Sequence, residues 1–240
     1  MKTAGDMFLF LIRVIRKTPR IDIVDFLRIL GEIMVESLPV ILIFGVSIGA
    51  SIGLQFIISL KVVGAESISP YFSGMAILRE IGPMVAGSQV LIRSGTRIAS
   101  QIASMKDRGI LTAIEVFPLD SFLFVVVPRF WAIVIATLLY LPIANTVCIL
   151  SSAFLTGNLF GVSWGEIWNG LEKSGDITDI LIGFLKCGII GISNALFVTY
   201  YGWTAKEGAE GTSKAMQKAI SYSVVYAIAI NYSISLIFYE

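Results

Sequence analysis

In the stretch LREIGP, residues 78–83, Arg79 stands beside Glu80 in an otherwise apolar run; in GFLKCGIIG, residues 183–191, Lys186 is the single charge. Such groups are expensive in a bilayer, about 3 kcal/mol each at the centre of a spanning helix. Three roles are open to them. Glu80 and Lys186 can pair, they can together hold a zwitterionic or anionic head group, or Arg79 and Lys186 can snorkel to polar head groups. Arg93 and Arg97 are four residues apart and share one helical face. Reaction chemistry has less to work with. The chain has no histidine, which removes the commonest general base and metal ligand. It carries no GxxxxGK[ST], HExxH or CxxC, so neither P-loop binding of ATP nor a zinc centre is expected in this chain. Asp107 and Asp120 have no partner in sequence that suggests catalysis. The expectation is a chain that is not an enzyme and has no metal or cofactor of its own.

The elements that position these charges are long and apolar. Of 240 residues, 56% are hydrophobic and 15% charged, where a soluble domain carries roughly 25% charged residues. With a net charge of +1 and no basic patch interleaved with aromatics, nucleic acid is not an expected partner. A helix needs about 20 mostly apolar residues to cross a bilayer. Runs of that kind place five spans near 38–60, 72–104, 129–155, 181–205 and 219–239. The second is read as one long helix with polar insertions at Arg79, Glu80, Arg93 and Arg97. The fold class is therefore all-α integral membrane: an N-terminal amphipathic interfacial region over 1–37, then a five-helix domain over 38–240. Lysine and arginine placement orients it. With the N-terminus inside, Lys2, Arg13, Arg16, Lys17, Arg20, Arg28, Lys106, Arg108, Arg129, Lys206, Lys214 and Lys218 fall on the cytoplasmic side, against Lys61 and Lys173 on the other. The C-terminus then faces out. Cys148 and Cys187 lie in apolar runs and read as small packing residues.

Shorter segments complete the plan. Phe8, Leu11, Ile12 and Ile15 share one helical face while Arg13, Arg16, Lys17 and Arg20 share another, the pattern of a helix lying in the head-group layer. Ser163 and Glu166 form a capping-box signature ahead of Trp164, Ile167, Trp168 and Leu171 on one face, suiting a short helix at the outer interface. Gly45, Gly49 and Gly53 form a GxxxGxxxG track, which points to a close helix interface within the subunit or across a dimer. Between the second and third spans, residues 106–120 are expected to form a cytoplasmic amphipathic helix. Ile110, Leu111, Ile114 and Phe117 give it an apolar face, with Glu115 in its polar surroundings. That helix either rests on lipid or docks into a groove of a soluble partner.

Taken together, LREIGPMVAGSQVLIRSGTRIASQIASMK, LTAIEVFPLD and VVVPRFWA resemble the MlaE-type permeases of MCE-associated lipid-transport ABC systems. Arg79, Glu80, Gly82, Pro83, Pro128 and Arg129 stand at that family's motif positions, and GVSWGEIW and KEGAEGTSKA also fit. The resemblance covers residues 25–240. It implies a permease in the bacterial inner membrane working with a second copy or paralogue. A cytoplasmic ABC ATPase dimer, which would hold the ATP and magnesium, would grip the coupling helices through Ile110, Leu111, Ile114, Glu115 and Phe117. An extracytoplasmic MCE-domain protein would receive or deliver phospholipid or a related lipid, and Arg79, Glu80 and Lys186 would lie near the lipid cavity. The chain departs from the family in its coupling segment: Gly109 and Ile110 stand where the family carries Glu-Gln, and the proline is displaced to Pro118. A glycine inside that helix would weaken it by about 1 kcal/mol relative to alanine. The competing readings are an ATPase-independent secondary transporter and a membrane scaffold subunit.

Overall fold

The computed structural model describes residues 2–117 and 119–239, with side chains from residue 5 onward. The expectations that rest on the Lys2 side chain and on Pro118 lie outside the described residues. Eight helices follow one another, and no strand occurs among the described residues. They are α1 (Lys2–Lys17) and α2 (Ile23–Lys61), then α3 (Glu66–Asp107), α4 (Ile110–Val116) and α5 (Ser121–Phe160). After these come α6 (Trp164–Ser174), α7 (Ile177–Trp203) and α8 (Ala209–Tyr239). Helices α2, α3, α5, α7 and α8 are each long and apolar enough to cross a membrane. All five overlap the spans expected from sequence, and each extends beyond its apolar run at one end or both.

Two boundaries differ from expectation. The helix that opens the expected N-terminal region of 1–37 is shorter than that region. It ends at Lys17, a turn follows at Thr18–Arg20, and Ile23 already opens α2. The coupling helix is shorter than 106–120, because Lys106 and Asp107 finish α3 and only Ile110–Val116 form α4. The cause is Gly109, whose φ of +69° is a left-handed conformation that side chains with a Cβ rarely adopt. Its N–H bonds back to the Lys106 carbonyl and closes α3, so the glycine separates two helices instead of weakening one.

The chain divides into two compact units. The first holds the described residues of 1–37, 87–137 and 188–229. Its core joins α1 to the start of α5: Phe10 meets the rings of Phe122 and Tyr200 edge-on at 5.0 and 5.5 Å, and Phe122 meets Trp203 at 5.3 Å. The polar face of α1 is tied down as well. Arg13 lies over the Phe122 ring, Lys17 pairs with Asp120, and Trp131 donates its indole N–H to Thr18 Oγ1 at 2.9 Å.

The second unit holds the described residues of 38–86, 138–187 and 230–240. Here the glycine track is used within the chain. A Cβ at Gly45 would come within 2.9 Å of Val147, one at Gly53 within 2.6 Å of Ser152 Oγ, and one at Gly49 would fall on the Cys148 carbonyl. The three glycines thus let α2 press its backbone onto α5. Ile57 joins Ala153, Val162 and Ile167 in a small core. Ser163 caps α6 through the reciprocal bonds with Glu166 that the sequence signature predicts. On α6, Ile167 is buried while Trp164 and Trp168 are exposed, so the four apolar residues of its face split between core and surface.

Asp120 supplies the pH prediction. Its partial burial acts to raise the carboxyl pKa, but the Lys17 hydrogen bond, the Leu123 N–H and the charges of Lys17 and Arg13 outweigh that and lower it. A depressed pKa means that α1 docking is fully stabilised above the unfolded value, about 3.9 for aspartate. That contribution is lost as pH falls through the folded value. Protease access to the turn at Thr18–Arg20 is therefore expected to rise steeply below about pH 4. Asp120→Asn keeps an N-cap but should raise that access at neutral pH and flatten its pH dependence; an unchanged acid response in the variant would show that another group controls docking.

Candidate functional site

The intramembrane charges of the second unit collect at one irregular turn of α3. Pro83 has no N–H, so the carbonyl of Arg79, four residues earlier, has no α-helical donor. The helix widens there into a π turn over Ile77–Ile81, with the Gly82 N–H bonded to the Ile77 carbonyl five residues back. Lys186 on α7 supplies the missing donor: its ammonium bonds the Arg79 carbonyl at 2.7 Å, Glu80 Oε1 at 2.9 Å and Ser235 Oγ on α8 at 2.6 Å. Its side chain is fully buried. Three oxygens therefore take the three ammonium protons, the arrangement a buried lysine needs. Glu80 is held in turn by Asn231, which donates to Oε2 at 2.6 Å, and by the Ser235 hydroxyl.

Arg79 points to a different partner. Its Nε lies 2.9 Å and its Nη2 3.1 Å from the two oxygens of Asp179, and its guanidinium sits 4.4 Å from the centroid of the Tyr239 ring. Asp179 is almost completely buried. The cluster therefore contains two cations and two carboxylates and is neutral as a whole. Glu80 and Lys186 form the pair that the sequence allows, and Arg79 faces Asp179. Phe56, Phe72, Met75 and Ala76 join Arg79, Glu80, Ser235 and Tyr239 around a cavity of about 260 Å³ whose surface is mostly apolar. Sequence reading missed Asp179, Asn231, Ser235 and Tyr239. A signal existed: Asp179 and Lys186 are seven residues apart on α7, and Asn231 and Ser235 four apart on α8, each pair on one helical face.

The other predicted residues are placed separately. In the first unit Arg97 pairs with Glu36 at 2.8 Å and Glu32 at 3.3 Å, and Arg93 borders the same recess as Arg97 and Glu36. Of the coupling residues, Ile110 is partly exposed and Ile114 half-buried, and both line a recess of about 770 Å³ with Arg28, Arg97, Arg108 and Arg129. Leu111 is buried, Glu115 accepts from the Ser121 hydroxyl at 2.6 Å, and Phe117 is exposed just beyond the end of α4. The outward surface of the segment is thus Ile110, Val116 and Phe117 more than the full predicted stripe. The glycine track also satisfies GxSxG twice, as GVSIG and GASIG. Neither serine sits on the strand-to-helix elbow that motif requires of a nucleophile; Ser47 and Ser51 bond back to the carbonyls of Ile43 and Ser47 within α2.

Similarity to known proteins runs over most of the chain. The family model described as Permease MlaE matches residues 26–237. The chain is 27% identical over 211 residues to the intermembrane phospholipid transport system permease protein MlaE of Haemophilus influenzae, covering 85% of this chain and 79% of that one. It is 27% identical over 218 residues to a probable ABC transporter permease protein of Rickettsia felis, with the same coverage. A chloroplastic protein of Arabidopsis thaliana, TRIGALACTOSYLDIACYLGLYCEROL 1, is 23% identical over 209 residues, covering 85% of this chain and 59% of the plant protein.

The buried pair at Arg79 has a testable energetic signature. Arg79→Met leaves Asp179 charged and unpaired, which should cost about 3–5 kcal/mol of stability in detergent unfolding. Adding Asp179→Leu to the same chain should restore most of that loss, since an apolar replacement of a whole buried pair is close to neutral. Additive damage in the double variant would show that the two side chains do not interact.

Proposed function

The chain belongs to the MlaE permease family, and from that premise we propose that it is the membrane permease of a phospholipid transporter powered by a separate ABC ATPase. The single observation that carries the reading is the neutral Arg79–Asp179 and Glu80–Lys186 cluster beside an apolar cavity. A phospholipid has the same two parts, a charged head and apolar chains. Its phosphate can replace Glu80 as partner of Lys186, or Asp179 as partner of Arg79, and an ammonium head group can turn to the carboxylate so freed, which keeps every charge compensated. Exchange of this kind requires the internal ion pairs to open. Separating a buried pair is costly, which suits a device that draws on ATP hydrolysis in a partner chain.

That partner supplies ATP and magnesium; in this chain α4 receives the force. Ile110, Val116 and Phe117, with Ile114 half-buried behind them, offer the apolar contact of a helix-in-groove interface, with the N-terminus on the cytoplasmic side of the bacterial inner membrane as the lysine and arginine distribution suggests. An extracytoplasmic MCE-domain protein and a second permease copy or paralogue complete the assembly in this reading.

Two outcomes test it. Glu80→Gln and Lys186→Met should each lower the phospholipid retained on gentle extraction several-fold while the other subunits still co-purify; wild-type lipid content in both would remove the cluster from lipid binding. Separately, Ile114→Asp with Phe117→Asp should release the ATPase from the purified complex, and full ATPase retention would refute docking through α4.

A further inference from the structure

The first unit carries a second amphipathic feature that the cluster at Arg79 does not use. On α8, Lys214, Lys218, Tyr222 and Tyr226 recur every four residues. One face therefore passes from ammonium groups to phenol rings over about 18 Å of helix. On α7, Phe197 and Tyr201 follow the same spacing and stack on it. The Tyr201 and Tyr222 rings lie 5.5 Å apart with 14° between their planes, and Phe197 meets Tyr222 at 6.0 Å and Tyr226 at 4.9 Å. Tyr222 and Tyr226 remain about half exposed, so this aromatic wall faces outward. Beside it lies a recess of about 670 Å³ whose charged lining is Lys206, Lys214 and Lys218, together with Tyr200, Tyr201 and Thr204. Glu210 reaches Lys214, but an exposed pair of this kind holds the lysine weakly, and no carboxylate lines the recess.

We infer that this recess binds an anionic phospholipid, with its phosphate among Lys206, Lys214 and Lys218 and its acyl chains along Tyr201, Tyr222 and Tyr226. Three observations favour a lipid over a soluble anion. The ammonium groups stand beside an exposed aromatic wall, its rings are tyrosines, a type enriched with tryptophan at head-group depth, and the helix that carries the wall is long and apolar enough to cross a membrane. Basic pockets between spanning helices are suited to anionic head groups because each lysine adds attraction to a negative surface. The inference does not depend on the cargo cluster or on the ATPase, since its residues are different ones.

The test is native mass spectrometry of the full chain, purified with whatever subunits accompany it. The chain is titrated with phosphatidylglycerol and, separately, with phosphatidylcholine of the same acyl chains. The wild-type chain should bind phosphatidylglycerol more tightly. Lys206→Gln, Lys214→Gln and Lys218→Gln should each weaken that binding about fivefold and leave phosphatidylcholine unchanged, while arginine at all three positions should retain it. Equal affinity for the two lipids would overturn the proposal. So would an equal loss from Lys61→Gln with Lys173→Gln, which removes charge elsewhere. Displacement of phosphatidylglycerol by millimolar inorganic phosphate would also overturn it, by showing an anion site indifferent to the acyl chains.

Discussion

A lysine with no exposed surface must have an oxygen for each of its three protons, and in this protein that requirement organises three helices. Lys186 on α7 finds its oxygens on the Arg79 backbone, the Glu80 carboxylate and the Ser235 hydroxyl. One of those acceptors exists because Pro83 cannot donate a hydrogen bond to the turn before it. The proline thus does two things in α3: it removes a donor and widens the turn, and both consequences are absorbed by a side chain from another helix. Remove the ammonium and the Arg79 carbonyl loses its donor while the Glu80 carboxylate, still held by Asn231 and Ser235, loses its counter-ion; the cluster is coupled for that reason.

Neutrality is the second consequence. Two cations facing two carboxylates leave the second unit without a net buried charge, and in the proposed function those charges are the ones exchanged. An incoming head group that carries both signs can replace either member of a pair and preserve the balance. The apolar wall of Phe56, Phe72 and Met75 beside the same residues gives the other half of such a molecule a place to lie. In the proposed function, charge balance and selectivity for a two-part ligand would be properties of one set of ion pairs.

The first unit solves a different problem, that of connecting short helices to long ones. Gly109 ends α3 by its positive φ, Asp120 caps the start of α5 and holds Lys17, and Glu115 on α4 accepts from Ser121. The segment proposed to receive force is therefore tied to both α1 and α5 through a few polar contacts. A motion of α4 would act on the ends of helices, where hydrogen bonds are fewest, and not against a packed middle.

Much of this was legible in the sequence. The five spans, the amphipathic α1 and the capping box at Ser163 follow from local spacing, because helix period and bilayer thickness act on neighbouring residues alone. Arg79, Glu80 and Lys186 were identifiable for a related reason, since a charge in an apolar run is visible without knowing what it touches. Their partners were not. Asp179 looks like an ordinary helix-start aspartate until α7 is set against α3, and Asn231 and Ser235 look like ordinary polar residues of α8. The glycine track announced a close helix contact, but only packing showed that α5 of the same chain fills it. Gly109 read as a weak point within a helix, whereas its backbone angle makes it the boundary between two. Sequence by itself determined which segments span and which charges interrupt their apolar runs, because both are set by local period and by the cost of desolvation. Tertiary structure alone decided who neutralises whom, because that depends on residues 100 and 106 positions apart coming together.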